Sequence, residues 1–247
     1  MDGRMATDRA LAMELLPAAS TRLIRAVDGF QDGEWSSPSL LPDWTRAHVV
    51  AHLALNAEGI ARALRGVVAS DGDEPRTMYD SDEKRDSDIG ALATRRPGEI
   101  RDRLLGGTTR LQDAMAAIPD DAWGAPLERT PGGRVIKAHA FPTMRLTELE
   151  IHHADLGTTY TPASWSTTFA GVLLDSMARR LDLAGPFEVA PLDLPDRRWR
   201  FGEDTDGGPG VPVVTGPAGD LAWWLTGRPP ADTLSCSRGE LPSIQGW

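Results

Sequence analysis

The sequence predicts a mostly helical protein, an N-terminal four-helix bundle followed by a smaller α/β domain. Three observations predict it. Four stretches in the first two thirds carry apolar residues at three- and four-residue spacing, the period of an amphipathic helix. Past residue 165 glycine and proline become dense and short β-like runs appear, RWRF at 198–201 and VPVV at 211–214. A chain of 247 residues is long enough for one large core or two smaller ones. The expected domains are therefore 1–165 and 166–247.

The first helix spans residues 7–29, where Leu11, Leu15, Leu16, Leu23, Ile24 and Val27 form the stripe and Gly29 and Gly33 end it. An extended loop, SSPSLLPDW, follows. Thr45 is then placed to cap a second helix from Arg46 to about Arg65, with Gly66 as its stop. Residues 67–95 are rich in Asp, Glu, Gly and Ser and read as a long connection with one or two helical turns near 81–92. Connections of that length often carry function. A third helix starts at Pro97, a residue suited to the first helical turn, and runs to about Ile118. A fourth begins somewhere in 135–142, after the PGG turn at 131–133, and ends at Gly157. Four helices that each bury one stripe make a four-helix bundle. In the second domain, helices are expected at 166–182 and within 217–227.

Composition narrows the function. With a net charge of −10 the chain lacks the basic face of a general nucleic-acid binder. No apolar run approaches the roughly 18–20 residues that span a bilayer. The first residues, MDGRMATDRALAMELL, are acidic where a signal peptide starts basic, so the expected location is cytoplasmic. Cys236 is the one cysteine, which rules out an intrachain disulfide and a cysteine-built structural zinc site.

The five histidines, His48, His52, His139, His152 and His153, fall on two of the expected helices or at the edge of one. His48 and His52 are four apart and share a helix face, as do Glu148 and His152 in the run ELEIH. His52 lies beside the stripe of Val49, Leu53, Ala57 and Ile60, which points it toward the bundle interior. Burying imidazoles and a carboxylate is costly unless they pair or bind a metal. Two histidines and one carboxylate with a position left open is the pattern of catalytic zinc. There is no HExxH motif, which disfavours a zincin protease. Spacing by itself leaves satisfied core or surface histidines as the other reading.

Three motifs extend the argument: WTRxHxxAHxxxNA at 44–57, MYxSxExR at 78–85 and MRxxExxIHxxDLG at 144–157. Together with a WLTGR stretch ending at Arg228, they resemble the mycothiol-dependent maleylpyruvate isomerases, a branch of the DinB-like metal-dependent thiol enzymes. The resemblance implies a DinB-like bundle with a small C-terminal α/β domain. It implies a divalent metal, zinc above all, on His52, Glu148 and His152, with His48 outside the ligand set, no role for His139, and His153 at a variable position. Arg85 matches an arginine that faces the active site, and Arg228 matches a second arginine that faces the substrate. The implied cofactor is mycothiol, a low-molecular-weight thiol. Its thiolate would add to the cis double bond of maleylpyruvate or a related unsaturated keto acid and leave after rotation. A related outcome is a thiol S-transferase that keeps the sulfur in its product. A non-catalytic DinB-like binding module is the third reading, and it predicts a degraded metal triad. Asp155 is a candidate to orient a ligand histidine, or else a helix-end surface residue.

Overall fold

The structure, a computed structural model, describes residues 2–69, 76–180, 185–202 and 210–244. It divides into two compact units, Met1–Thr158 and Thr159–Trp247. The boundary expected after residue 165 lies a few residues inside the second unit, because the turn Pro162–Ser164 packs on a helix of that unit.

The first unit is built on four helices: α1 (Asp2–Asp28), α2 (Arg46–Val68), α4 (Pro97–Ala117) and α5 (Phe141–Asp155). Helix α2 is the centre of the bundle. Val49, Leu53, Ala57 and Ile60 are fully buried, and so are Val50, Ala54, Ala61 and Leu64 on its flanks. Burial of each larger aliphatic among them contributes about 1.5–3 kcal/mol. Helix α4 packs along α2, and α1 packs along α5. The α2–α4 approach depends on Gly107, where a Cβ would sit 3.0 Å from the Ala54 carbonyl oxygen and 3.3 Å from Glu58 Cγ. Arg22 of α1 reaches the buried Glu150 of α5 at 2.6 Å and ties the other pair together.

Two expectations need correction in this unit. Helix α2 does not stop at Gly66 but continues to Val68, and the Gly66 carbonyl accepts a hydrogen bond from Arg76 Nε. The stretch near 81–92 is a full helix, α3 (Asp82–Ala93), packed on α2. It was hidden by its polarity, since only Ile89 and Leu92 are buried, and it starts where the Ser81 side chain accepts the Lys84 N–H. The connection leading to it lies partly outside the described residues, at 70–75. The PGG turn at 131–133 closes a hairpin of β1 (Pro126–Glu128) and β2 (Val135–Lys137), and α5 begins at Phe141, inside the expected window of 135–142.

The loop before α2 is also ordered by local bonds. A turn with Pro42 and Asp43 at its centre is closed by the Trp44 N–H on the Leu41 carbonyl at 3.2 Å, with Asp43 in the left-handed region at φ 62°. This turn sets Trp44 at the start of α2.

The second unit has α6 (Thr167–Arg180), α7 (Ala218–Leu225) and a mixed four-stranded sheet. The strands are β3 (Phe187–Pro191), β4 (Trp199–Phe201), β5 (Val213–Gly216) and β6 (Ser235–Cys236), in the order β4-β3-β5-β6. Strands β3 and β5 are parallel, the other pairs antiparallel. The RWRF and VPVV runs are strands β4 and β5, displaced by a residue or two. The end of the expected 166–182 helix lies outside the described residues. The small core here is aromatic: Phe187 stacks on Phe201 at 5.1 Å, and Trp165 meets Phe169 and Trp223 edge-on. No helix among the described residues is long and apolar enough to cross a membrane.

Candidate metal centre

The two helices that carry the histidine pairs face each other inside the first unit. His52, on α2, is 4% exposed, and its Nε2 lies 2.8 Å from Glu148 Oε2 on α5, across 96 positions of chain. His152, one turn beyond Glu148, brings its Nε2 to 3.3 Å from the same oxygen. The two imidazole rings meet nearly perpendicular, with centroids 4.7 Å apart. One ligand atom from each of His52, Glu148 and His152 falls within 4.8 Å of the others, among the described residues the one group of three or more such side chains.

His48 sits on the same face of α2 and is excluded by a local bond. Its Nδ1 turns back to the start of the helix, 2.8 Å from the Thr45 hydroxyl and 3.3 Å from the Thr45 N–H. Glu150 is likewise taken, by Arg22 on the opposite side of α5. His139 lies on the short turn before α5, and His153 is buried on the face of α5 away from the cluster.

The neighbours hold these side chains in place. Asp155 is fully buried, and its Oδ2 accepts from His152 Nδ1 at 2.8 Å. An imidazole fixed in this way through Nδ1 presents Nε2 to the centre of the cluster. On the other side, Arg85 of α3 places Nη2 3.2 Å from His52 Nδ1. Its Nη1 meets Asp86 at 2.6 Å. The Trp44 ring lies edge-on to His52 at 5.7 Å and walls off that side. Tyr79 is buried beside them, with the Arg85 guanidinium carbon 5.8 Å from its ring centroid.

Protonation follows from these contacts. Burial pushes His52 down to about 4, despite the hydrogen bond to Glu148 that favours its charged form. Burial works against charge on His152 too, but the bonds to Asp155 and Glu148 prevail and raise it. The two histidines share Glu148 and shift in opposite directions because only His152 has a second carboxylate. Burial alone would raise the Glu148 carboxyl, yet the hydrogen bonds from His152 and His52 hold it well below the usual carboxylate range. The shifts favour the ionised form of Glu148 and the charged form of His152.

One member of the surroundings was not anticipated. Arg145, one turn before Glu148, is 1% exposed and donates Nη1 to the Leu53 carbonyl at 2.9 Å and to Asn56 Oδ1 at 2.8 Å. Burial lowers it to about 10, so it stays charged near neutrality and offsets the Glu148 charge. It also locks α5 to α2 beside the ligands. The motif MRxxE contained it, but no spacing argument distinguishes a buried arginine from a surface one. Arg228, the second expected substrate-facing arginine, lies in the other unit. There it follows α7, with its guanidinium carbon 5.1 Å from the centroid of Trp223 and Nη1 3.3 Å from the Thr226 carbonyl.

The first unit is thus a helical bundle with a His–Glu–His cluster, a group that could hold a metal ion, at the meeting of two helices. The chain belongs to the mycothiol maleylpyruvate isomerase N-terminal domain family, whose model matches residues 16–157. It is similar to the crystal structure of the mycothiol-dependent maleylpyruvate isomerase, with a TM-score of 0.80 and 25% identity over 98% of this chain and 97% of that chain. It is similar also to a mutant of that isomerase in which a histidine is replaced by alanine, with a TM-score of 0.79, 25% identity and the same coverage. No curated protein matches it by sequence.

Proposed function

We propose that this protein is a mycothiol-dependent cis–trans isomerase of maleylpyruvate or a related unsaturated keto acid. In this reading His52, Glu148 and His152 hold a divalent metal, zinc by the chemistry of the donor set. The observation that carries it is the convergence of these three side chains within 4.8 Å, in a chain that follows the isomerase fold along 98% of its length.

The residues fit a metal. Two imidazole nitrogens and one carboxylate oxygen lie within 4.8 Å of one another, and a dication bound among them would offset the cost of burying these polar groups. Three protein ligands leave a coordination position open, as in catalytic rather than structural zinc sites. A metal so held lowers the pKa of a thiol brought to it, and the thiolate is the nucleophilic form.

This chain's own groups supply the rest. Asp155 keeps His152 basic and oriented. Arg145 fixes α5 against α2. Were His52 to hold a metal through Nε2, its ring proton would sit on Nδ1, which would no longer accept from Arg85. The Arg85 guanidinium is then available to a substrate carboxylate, for which its planar fork is suited. The thiolate of mycothiol adds to the cis double bond, with the electron pair passing to the conjugated carbonyl. Rotation about the new single bond follows. The returning pair expels the thiolate and leaves the trans double bond, fumarylpyruvate in the case of maleylpyruvate. Atoms and electrons balance with the thiol regenerated. Arg228 is proposed as a second carboxylate clamp.

The test is turnover of maleylpyruvate with and without mycothiol, with products followed by mass spectrometry. Isomerisation that requires the thiol, yields a sulfur-free product and vanishes in His52→Ala is expected. A product that retains sulfur would make the protein an S-transferase instead. Equal turnover without any thiol, or full activity in His52→Ala, would overturn both.

A further inference from the structure

We propose, on the reading of His52, Glu148 and His152 as metal ligands, that Arg46 is a positioning residue for that site. Its guanidinium clamps the turn of α5 that carries His152 and Asp155 against the start of α2, and so sets the spacing of the ligands.

The last carbonyls of a helix have no partner within it, so the groups that meet them decide what the helix end is tied to. At the end of α5 the His153 and Ala154 carbonyls take the N–H groups of Leu156 and Gly157, with Gly157 in the left-handed region at φ 64°. The next three carbonyls are met by α2 and the loop before it. The Asp155 carbonyl accepts the Leu40 N–H at 2.8 Å. Arg46 donates Nε to the Leu156 carbonyl at 2.9 Å and Nη2 to the Gly157 carbonyl at 3.1 Å. The loop is closed onto the same residue, because the Arg46 N–H donates to the Ser37 carbonyl at 3.0 Å.

The guanidinium has little freedom to do otherwise. Its third nitrogen, Nη1, meets Glu34 at 2.9 Å, its carbon lies 5.3 Å from the centroid of the Phe30 ring, and the side chain is 15% exposed. A planar fork with all three nitrogens engaged holds one orientation, which a lysine ammonium does not. Its charge also suits α5 and not its own helix. Arg46 is the first residue of α2, where a cation faces the positive end of the helix dipole, whereas the end of α5 presents the negative one.

Arg46 completes a frame around the ligands. Arg145 reaches from α5 to the Leu53 carbonyl of α2 at 2.9 Å, and Arg46 reaches back from α2 to the end of α5. On α2, His52 lies between Arg46 and Leu53; on α5, Glu148 and His152 lie between Arg145 and Leu156. Arg46 is six residues from His52, about 9 Å along the helix axis, so it acts through the helices and not on the metal.

Titration of the metal-free, full-length protein with Co2+, followed by its visible absorption, measures affinity and ligand geometry together. Saturable binding by the wild type is expected. Arg46→Gln should bind about tenfold more weakly, with shifted visible bands. Glu34→Gln leaves both carbonyl bonds in place and should match the wild type in both readouts. Glu150→Gln breaks the Arg22 tie on the other side of α5, so it should lose stability without a band shift, which separates positioning from stability. Arg46→Lys keeps the charge but not the fork and should fall between the wild type and Arg46→Gln; it decides the matter if Arg46→Gln does not fold. Affinity within about twofold of the wild type with unshifted bands in the folded Arg46 variants, or the same band shift in Glu150→Gln, would overturn the positioning role and leave the metal reading standing. A wild type that binds no Co2+ would remove the metal reading, and the role of Arg46 with it.

Discussion

Substitution of Asp155 tests what an outer carboxylate contributes to the proposed metal site. The side chain is fully buried and accepts the 2.8 Å bond from His152 Nδ1. Asp155→Asn keeps the shape and an oxygen acceptor but removes the charge. Hydrogen bonds to charged groups contribute about 1.5–3 kcal/mol, and neutral ones about 0.5–1.5 kcal/mol. The difference, about 1–1.5 kcal/mol, corresponds to roughly tenfold weaker metal binding. Asp155→Ala goes further, because it leaves the Nδ1–H of a nearly buried imidazole without a partner. A loss toward about a hundredfold is expected, the upper end for groups that orient metal ligands. Competition with a chromophoric chelator, starting from metal-free protein at neutral pH, measures both. Glu150→Gln is the control: that carboxylate is two positions from Glu148 but turned to Arg22, so the variant should lose some stability and keep its metal affinity. If both Asp155 variants remain folded and bind metal within about twofold of the wild type, the orienting role is refuted.

Two further outcomes follow from the packing. Gly107→Val should destabilise the bundle by about 1–3 kcal/mol, because its Cβ would press on the Ala54 carbonyl and Glu58 and force α2 from α4. An unchanged urea midpoint would show that the helices have room. Tyr79 is one of only two tyrosines, and burial raises it above 10.0, with the Glu148 charge acting in the same direction. Its folded-state value is the higher one, so below 10.0 it contributes nothing to pH dependence. Above that, the unfolded chain ionises first and stability falls as pH rises. Ultraviolet titration should resolve one late phenol, absent in Tyr79→Phe, and the variant should lose that part of the alkaline instability. Two phenols that titrate together near the ordinary value would contradict the burial argument.

The helices most legible in the sequence were those with a wide apolar stripe. For α2 the buried set Val49, Leu53, Ala57 and Ile60 is the one its spacing indicates. The elements that escaped were those whose stability comes from elsewhere. Helix α3 buries only Ile89 and Leu92 and leans on α2 and its Ser81 cap. Strands β1 and β2 are three residues each and exist because they pair. Strand β3, Phe187–Pro191, does alternate inward and outward, but five residues among glycines and prolines are too few to stand out. Gly66 shows the converse error: a glycine near a helix end is a weak stop when packing continues past it.

At the site, the sequence by itself determined the chemistry available: which imidazoles and carboxylates exist, and which pairs share a helix face. Four-residue spacing put Glu148 beside His152 and His48 beside His52, because helix geometry is local. The tertiary structure alone decided which of these atoms meet. His52 finds Glu148 across 96 positions because α2 runs through the centre of the bundle and α5 packs against it. His48 is spent on Thr45, and Glu150 on Arg22. Asp155 and Arg145, both plain polar residues in the sequence, become an orienting carboxylate and a buried clamp because burial leaves each of them few partners.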